Sequence, residues 1–162
     1  AGICGSGVAD VLAGLLELGR LDETGLLNDG DDAWPLAPGV AITQGDIRQV
    51  QLAKSAVRAG IETLLARAGL TPDALAELAI AGGFGSYLDP ESAMAIGMLP
   101  RACAGKLHTL GNTALAGAAA LTLDPAQWQR IGNISRACDY LELSGRADFA
   151  AAFTDDLSFP QP

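Results

Sequence analysis

Ala79-Ile80-Ala81-Gly82-Gly83-Phe84-Gly85-Ser86-Tyr87-Leu88-Asp89-Pro90-Glu91 is the stretch that decides how this chain folds. Apolar residues run into three closely spaced glycines, and Asp89-Pro90-Glu91 then opens a helix. The order reads as a short buried strand, a glycine turn and a helix. Glycine has no Cβ, so the chain turns sharply there and a flat or anionic ligand reaches the backbone amides. A second junction of the same kind follows. Leu107-His108-Thr109-Leu110 reads as a strand, and it breaks at Gly111-Asn112 into a helix of very small residues over 113–121. In an open α/β sheet, ligands gather beyond the carboxyl ends of the strands, so two such junctions can line one cleft. The alternative for both is tight helix–sheet packing with no ligand.

Working outward, Val8, Val11, Leu12, Leu15, Leu16 and Leu18 give a helix starting near Ser6 or Gly7 and ending at Gly19. Residues 20–37 are rich in Asp, Gly and Pro and read as an exposed loop. Residues 39–42 read as a strand. Thr43 then caps a long helix with Asp46 in its first turn, and Gly69 closes it. Ile47, Val50, Leu52, Ala53, Val57, Ile61, Leu64 and Leu65 supply its apolar periodicity, and Arg48, Lys54 and Arg58 lie along it. Pro72 opens a short helix and Asp124-Pro125 another. Residues 140–143 read as a strand, 147–153 as a helix and 157–159 as a terminal sheet edge. Strands alternating with helices predict a layered α/β fold.

Composition narrows the function classes. The 162 residues suffice for one domain with a core, or one half of a two-lobed protein. Hydrophobic residues make up 49%, which excludes a disordered chain. The net charge of −9 argues against a nucleic-acid partner and against docking on anionic lipid, since both need clustered Lys and Arg. No apolar run reaches the roughly 20 residues of a membrane span. The three cysteines, Cys4, Cys103 and Cys138, are widely spaced and form no CxxC pair. No metal site is expected from this chain alone, and reduced thiols point to a cytoplasmic protein. The chain opens inside a motif with no start methionine, and the expectation is a fragment of a longer protein.

That opening motif, Gly2-Ile3-Cys4-Gly5-Ser6-Gly7, is a glycine-rich loop leading into a helix. Its amides and the Ser6 hydroxyl suit a phosphate at a helix N-terminus, or simply turn the chain into the helix. No lysine follows, so it is not a P-loop. His108 is the only histidine, which leaves a nucleophilic triad or a histidine metal site without support. Asp89 and Glu91 suit helix capping, or contact with a ribose or a magnesium-bound water. No residue is assigned a catalytic role.

Gly2-Ile3-Cys4-Gly5-Ser6-Gly7, Ile42-Thr43-Gln44-Gly45-Asp46-Ile47-Arg48, Gln51-Leu52-Ala53-Lys54-Ser55-Ala56-Val57-Arg58-Ala59-Gly60-Ile61, the glycine stretch through Ala93, Ile96-Gly97-Met98-Leu99-Pro100 and Gly111-Asn112-Thr113-Ala114-Leu115-Ala116-Gly117-Ala118 together resemble, in order, the C-terminal part of the reductive activators of corrinoid proteins. The resemblance runs to about residue 159. It implies an actin-like (ribonuclease H-like) lobe with helices packed on a mixed sheet, residues 1–162 being the C-terminal lobe of a longer protein. It implies ATP with magnesium as the ligand of the whole protein. A [2Fe–2S] cluster would be held by an N-terminal ferredoxin domain that this chain lacks, with none held here. The electron would pass from that cluster to cob(II)alamin, giving cob(I)alamin. Gly82 and Gly83 would contact adenosine with Phe84 and Gly85 beside them, Gly111 and Asn112 would open a helix that connects the lobes, and Gly5, Ser6 and Gly7 would lie toward the phosphates. The implied partner is a corrinoid protein or corrinoid-dependent methyltransferase, with homodimerisation open. Two other readings stay open: a docking or dimerisation domain that has lost nucleotide, and a lobe of a small-molecule kinase of the same superfamily.

Overall fold

The computed structural model describes residues 2–28, 30, 32–83 and 85–161. Among these, the elements run α1 (Gly5–Glu17), β1 (Ala33–Ala37), β2 (Val40–Thr43), α2 (Gln44–Arg67), β3 (Leu78–Ile80), α3 (Pro90–Ala95), β4 (Leu107–Thr109), α4 (Thr113–Leu123), α5 (Gln127–Ala137) and α6 (Ala147–Asp155). Single 3-10 turns stand at Pro72–Ala74 and Arg101–Cys103. The fold is mixed α/β, as the alternation predicts, with its strands divided between two pairs. β1 and β2 are antiparallel, Trp34 facing Ile42, with an irregularity between Pro35 and Ala37. β3 and β4 are parallel, with Leu78 opposite Leu107, Ala79 opposite His108 and Ile80 opposite Thr109.

Three segments differ from the sequence-based expectation. The segment 20–37 is not all loop. Its second half forms β1, with Pro35 on a short strand that has a single partner and needs no donor there. Leu21 and Leu27 bridge to each other and enter the core. Asp29 and Asp31 lie outside the described residues. Residues 140–143 form no strand: Tyr140 is exposed, its hydroxyl donates to Glu142, and Glu142 also accepts the Ser144 N–H. Local side-chain bonds replace a ladder there. Residues 157–159 form no sheet edge either. The tail is instead held by side chains of α2.

The core gathers Ala9, Leu12 and Leu15 of α1, Ile42 of β2, Ile47 of α2, Ala93 and Met94 of α3, and the turn residues Ile96, Met98 and Leu99. Phe159 completes it from the C-terminal tail, its N–H donating to the Glu23 carbonyl at 2.8 Å. α1 packs on α3, and α2 packs along α6. α2 starts as the sequence predicts. Thr43 and Asp46 form a reciprocal capping box, with the Asp46 N–H on the Thr43 hydroxyl at 3.1 Å and the Thr43 N–H on the Asp46 carboxylate at 2.9 Å.

The buried face of α2 is the surprise. Leu52, Val57 and Leu64, expected inside, are exposed, while Gln51, Lys54 and Ser55 are almost wholly buried. Gln51 donates to the Thr24 carbonyl at 3.0 Å and the Leu157 carbonyl at 3.1 Å. Lys54 Nζ donates to the carbonyls of Asp156 and Ser158 and lies 5.1 Å from the centre of the Phe159 ring. Ser55 donates to the Phe153 carbonyl. The chain after α6 has carbonyls without ladder partners, and a buried carbonyl without a donor is costly. The polar side chains of α2 supply those donors.

Burial pushes the Lys54 amine down to about 8, against the pull of the Asp156 carboxylate, while Arg58 adds to the depression. The folded value lies below the ordinary lysine value of 10.5. Between the two, the unfolded chain holds a proton that the folded chain has released, so stability rises with pH. Relative to Lys54→Met, the wild-type chain should gain at most about 1.4 kcal/mol per pH unit across that window. Denaturant unfolding of both proteins at several alkaline pH values checks this, and a difference that stays flat with pH would refute it.

Candidate functional site

Because β3 and β4 are parallel neighbours, their carboxyl ends lie side by side and the two glycine junctions meet. The Gly82 N–H donates to the Gly111 carbonyl at 2.8 Å, just past the Leu110 N–H on the Ile80 carbonyl at 2.8 Å. The Ser86 hydroxyl at 2.8 Å and the Ser86 N–H at 3.0 Å both donate to the Gly82 carbonyl, which closes the turn on itself. On the other side, Asn112 caps α4 by accepting the Leu115 N–H at 3.0 Å. Asp89 caps α3 by accepting the Ser92 N–H at 2.7 Å, so the capping role is the one it plays. Phe84 lies outside the described residues.

The glycines of the turn are there for different reasons. Gly82 has φ +96°, a left-handed conformation that a side chain strains. A Cβ on Gly85 would meet Ile80 Cγ2 at 2.2 Å and the Ala81 carbonyl oxygen at 3.1 Å. The fold thus dictates both. Gly83 has neither constraint: a Cβ there meets nothing within 4 Å. Its bareness keeps open space clear.

The other sequence-predicted group, Gly5, Ser6 and Gly7, forms the first turn of α1, with Cys4 at its N-cap. Cys4 Sγ lies 3.3 Å from the Ser6 hydroxyl. That hydrogen bond, followed by the Gly7 amide, holds the Cys4 thiol below its ordinary value. Cys4, Ser6, Gly7 and Asp10 share one open cavity of about 500 Å³ with Tyr87. The start of α1 and the segment that leaves the glycine turn therefore border the same open space, with Tyr87 on the turn's side. Tyr87 carries no assigned role in the sequence reading. The signal was an aromatic residue standing between a glycine turn and a helix cap.

The remaining candidates are not drawn together. His108 is exposed on β4, with Nε2 3.9 Å from the Glu77 carboxylate. Cys103 is buried, while Cys4 and Cys138 are exposed and separate. Among the described residues no group of three or more His, Cys, Asp or Glu side chains is placed to hold a metal ion. The cysteines present do not fit an iron–sulfur cluster, whose irons need convergent thiolates. Also among the described residues, no helix is long and apolar enough to cross a membrane. The α4–α5 surface leaves Leu115, Leu123, Trp128 and Ile134 more than half exposed.

The α/β lobe is of the actin-like class, as comparison with known domains shows. Residues 1–162 match the model described as the C-terminal domain of RACo, the ASKHA domain, and the chain belongs to that family. It is 33% identical to the corrinoid activation enzyme RamQ of Eubacterium limosum, over 68% of this chain and 23% of that protein. It is also 33% identical to the [Co(II) methylated amine-specific corrinoid protein] reductase of Methanosarcina barkeri, over 69% of this chain and 20% of that protein. Among solved structures, a reductive activator for corrinoid, iron-sulfur protein superposes with a TM-score of 0.86 at 34% identity, covering 98% of this chain and 28% of that one. The chain thus spans a quarter or less of the curated relatives it matches.

Alanine at the two glycines should separate their roles. Gly85→Ala forces Ile80 and the backbone apart and should cost about 1–3 kcal/mol of stability. Gly83→Ala should stay within about 0.5 kcal/mol of wild type. Denaturant midpoints decide it, and equal effects at both positions would refute the distinction.

Proposed function

We propose that this chain is the C-terminal nucleotide-binding lobe of an ATP-dependent reductive activator, which returns the cob(II)alamin of a corrinoid protein to cob(I)alamin. The observation that carries the proposal is the direct Gly82–Gly111 hydrogen bond. It joins both glycine junctions into one wall, with the unexplained Gly83 facing open space. The family supports the ligand, since the matched domain is of the ASKHA type. Gly82 and Gly83, with Phe84 and Gly85, would lie against adenosine. Gly111 and Asn112 would fix the adjoining helix, and Gly5, Ser6 and Gly7 would lie toward the phosphates. The [2Fe–2S] cluster belongs elsewhere in the full-length protein, because the thiols here do not converge. The partner would be a corrinoid protein or a corrinoid-dependent methyltransferase, as the names of the relatives suggest.

The lobe's part is mechanical. A gap of about 0.2 V for one electron is about 4–5 kcal/mol. Nucleotide lifts the electron over it only if closed and open states differ in their affinity for ATP or for the corrinoid partner. Backbone contacts at the junction of two strands suit that role better than an acid–base group. One wall alone binds weakly, so the isolated chain should show no low-micromolar affinity for ATP.

A second reading is favoured by the bare apolar surface of α4 and α5: a docking or dimerisation domain that has kept the shape and lost the nucleotide. ATP-dependent thermal stabilisation of the full-length protein separates the two, since a ligand specific to the native state raises the midpoint. Gly83→Val in the full-length protein should abolish ATP-dependent corrinoid reduction and leave the ligand-free midpoint unchanged. Unaltered reduction would exclude a close nucleotide contact at Gly83.

A further inference from the structure

Tyr87 is 80% exposed, and its hydroxyl has no hydrogen-bond partner among the described residues. Its backbone is nevertheless tightly held. On one side Ser86 is bonded twice to the Gly82 carbonyl. On the other, Leu88 is buried in the core and Asp89 caps α3. A bare aromatic ring on a fixed backbone is a preformed stacking surface, because little order is lost when a flat partner lands on it.

The cavity beside the ring indicates which partner. Its lining includes Ser6 and Asp10, and among the described residues Asp10 is the only charged one that lines it. A carboxylate accepts hydrogen bonds and repels phosphate. The nucleoside end of a nucleotide offers a flat base, an exocyclic amine and sugar hydroxyls, whereas a bare triphosphate offers only negative charge. We infer that Tyr87 stacks on the base of the bound nucleotide, with Asp10 on its nucleoside end. The inference rests on the nucleotide reading above and deepens it.

The test uses the full-length activator. Calorimetry measures binding of magnesium–ATP and of magnesium–tripolyphosphate to wild type, Tyr87→Ala and Tyr87→Phe. Loss of one base stack weakens binding about tenfold or more. Tyr87→Ala should therefore weaken ATP by about that factor and leave tripolyphosphate unchanged, with Tyr87→Phe close to wild type because the ring is kept. Tyr87→Ala within about twofold of wild type for ATP overturns the assignment. So does an equal loss for both ligands, which would mean a phosphate contact or a distorted cleft. A drop in the ligand-free melting midpoint of Tyr87→Ala overturns it too, because the ring would then be packing against another part of the protein. No ATP binding by wild type overturns the nucleotide reading itself, and this assignment with it.

Discussion

The lobe depends on one buried polar contact: the donors of α2 held against the carbonyls of the C-terminal tail. Gln51, Lys54 and Ser55 together satisfy carbonyls from Phe153 to Ser158 that no strand or helix serves. Hydrophobic burial alone would not fix this segment, because its backbone acceptors would be stranded in the interior. With the tail pinned, Phe159 seats in the core and Pro160 lies against Gly97, where a Cβ would meet it at 2.9 Å. Gly97 follows α3, α3 is capped by Asp89, and Asp89 follows the glycine turn. The tail clamp and the candidate site thus belong to one packed unit.

The clamp also places a charge where charge is expensive. Lys54 is pulled toward neutrality by burial, and the Asp156 carboxyl is pushed above its ordinary value by burial and by Glu62. Each partner is thereby shifted toward its uncharged form, although the two attract. The amine is held by backbone carbonyls and not by that carboxylate, so its use is specificity of docking more than strength. Several acceptors converge on Lys54, and no apolar side chain could bind them in the same register.

Features with local physical causes were legible in the sequence. The Thr43 cap, the Asp89 cap, the Asn112 cap and the glycine ends of α1 and α2 each follow from a few adjacent residues. The two glycine junctions were legible for the same reason, and the parallel pairing of β3 and β4 brings them side by side. The buried face of α2 was not legible. Its apolar periodicity pointed to Leu52, Val57 and Leu64, yet the true face is set by carbonyls about a hundred residues away in the chain. The residues 140–143 look like a strand by composition, but β propensity needs a partner, and Glu142 turns the segment into local hydrogen bonds instead. Tyr87 was missed because an exposed ring leaves no trace in a hydrophobic pattern.

The two short parallel strands explain why the chemistry gathers where it does. Three residues per strand supply few ladder bonds, so β3 and β4 contribute little stability by themselves. Their value is alignment: they deliver Gly82 and Gly111 to the same level and face both turns the same way. A turn in which two glycines are demanded by backbone geometry and a third is not has a position that selection for folding does not account for. An exposed ring on rigid backbone, a few residues further along, is a second such position. Gly83 and Tyr87 flank the fold-demanded Gly85 and the self-bonded Ser86, so the turn's own geometry fixes their spacing. Residues that the fold leaves unexplained, at a spacing the fold makes rigid, are the form a ligand contact takes when the backbone provides the recognition.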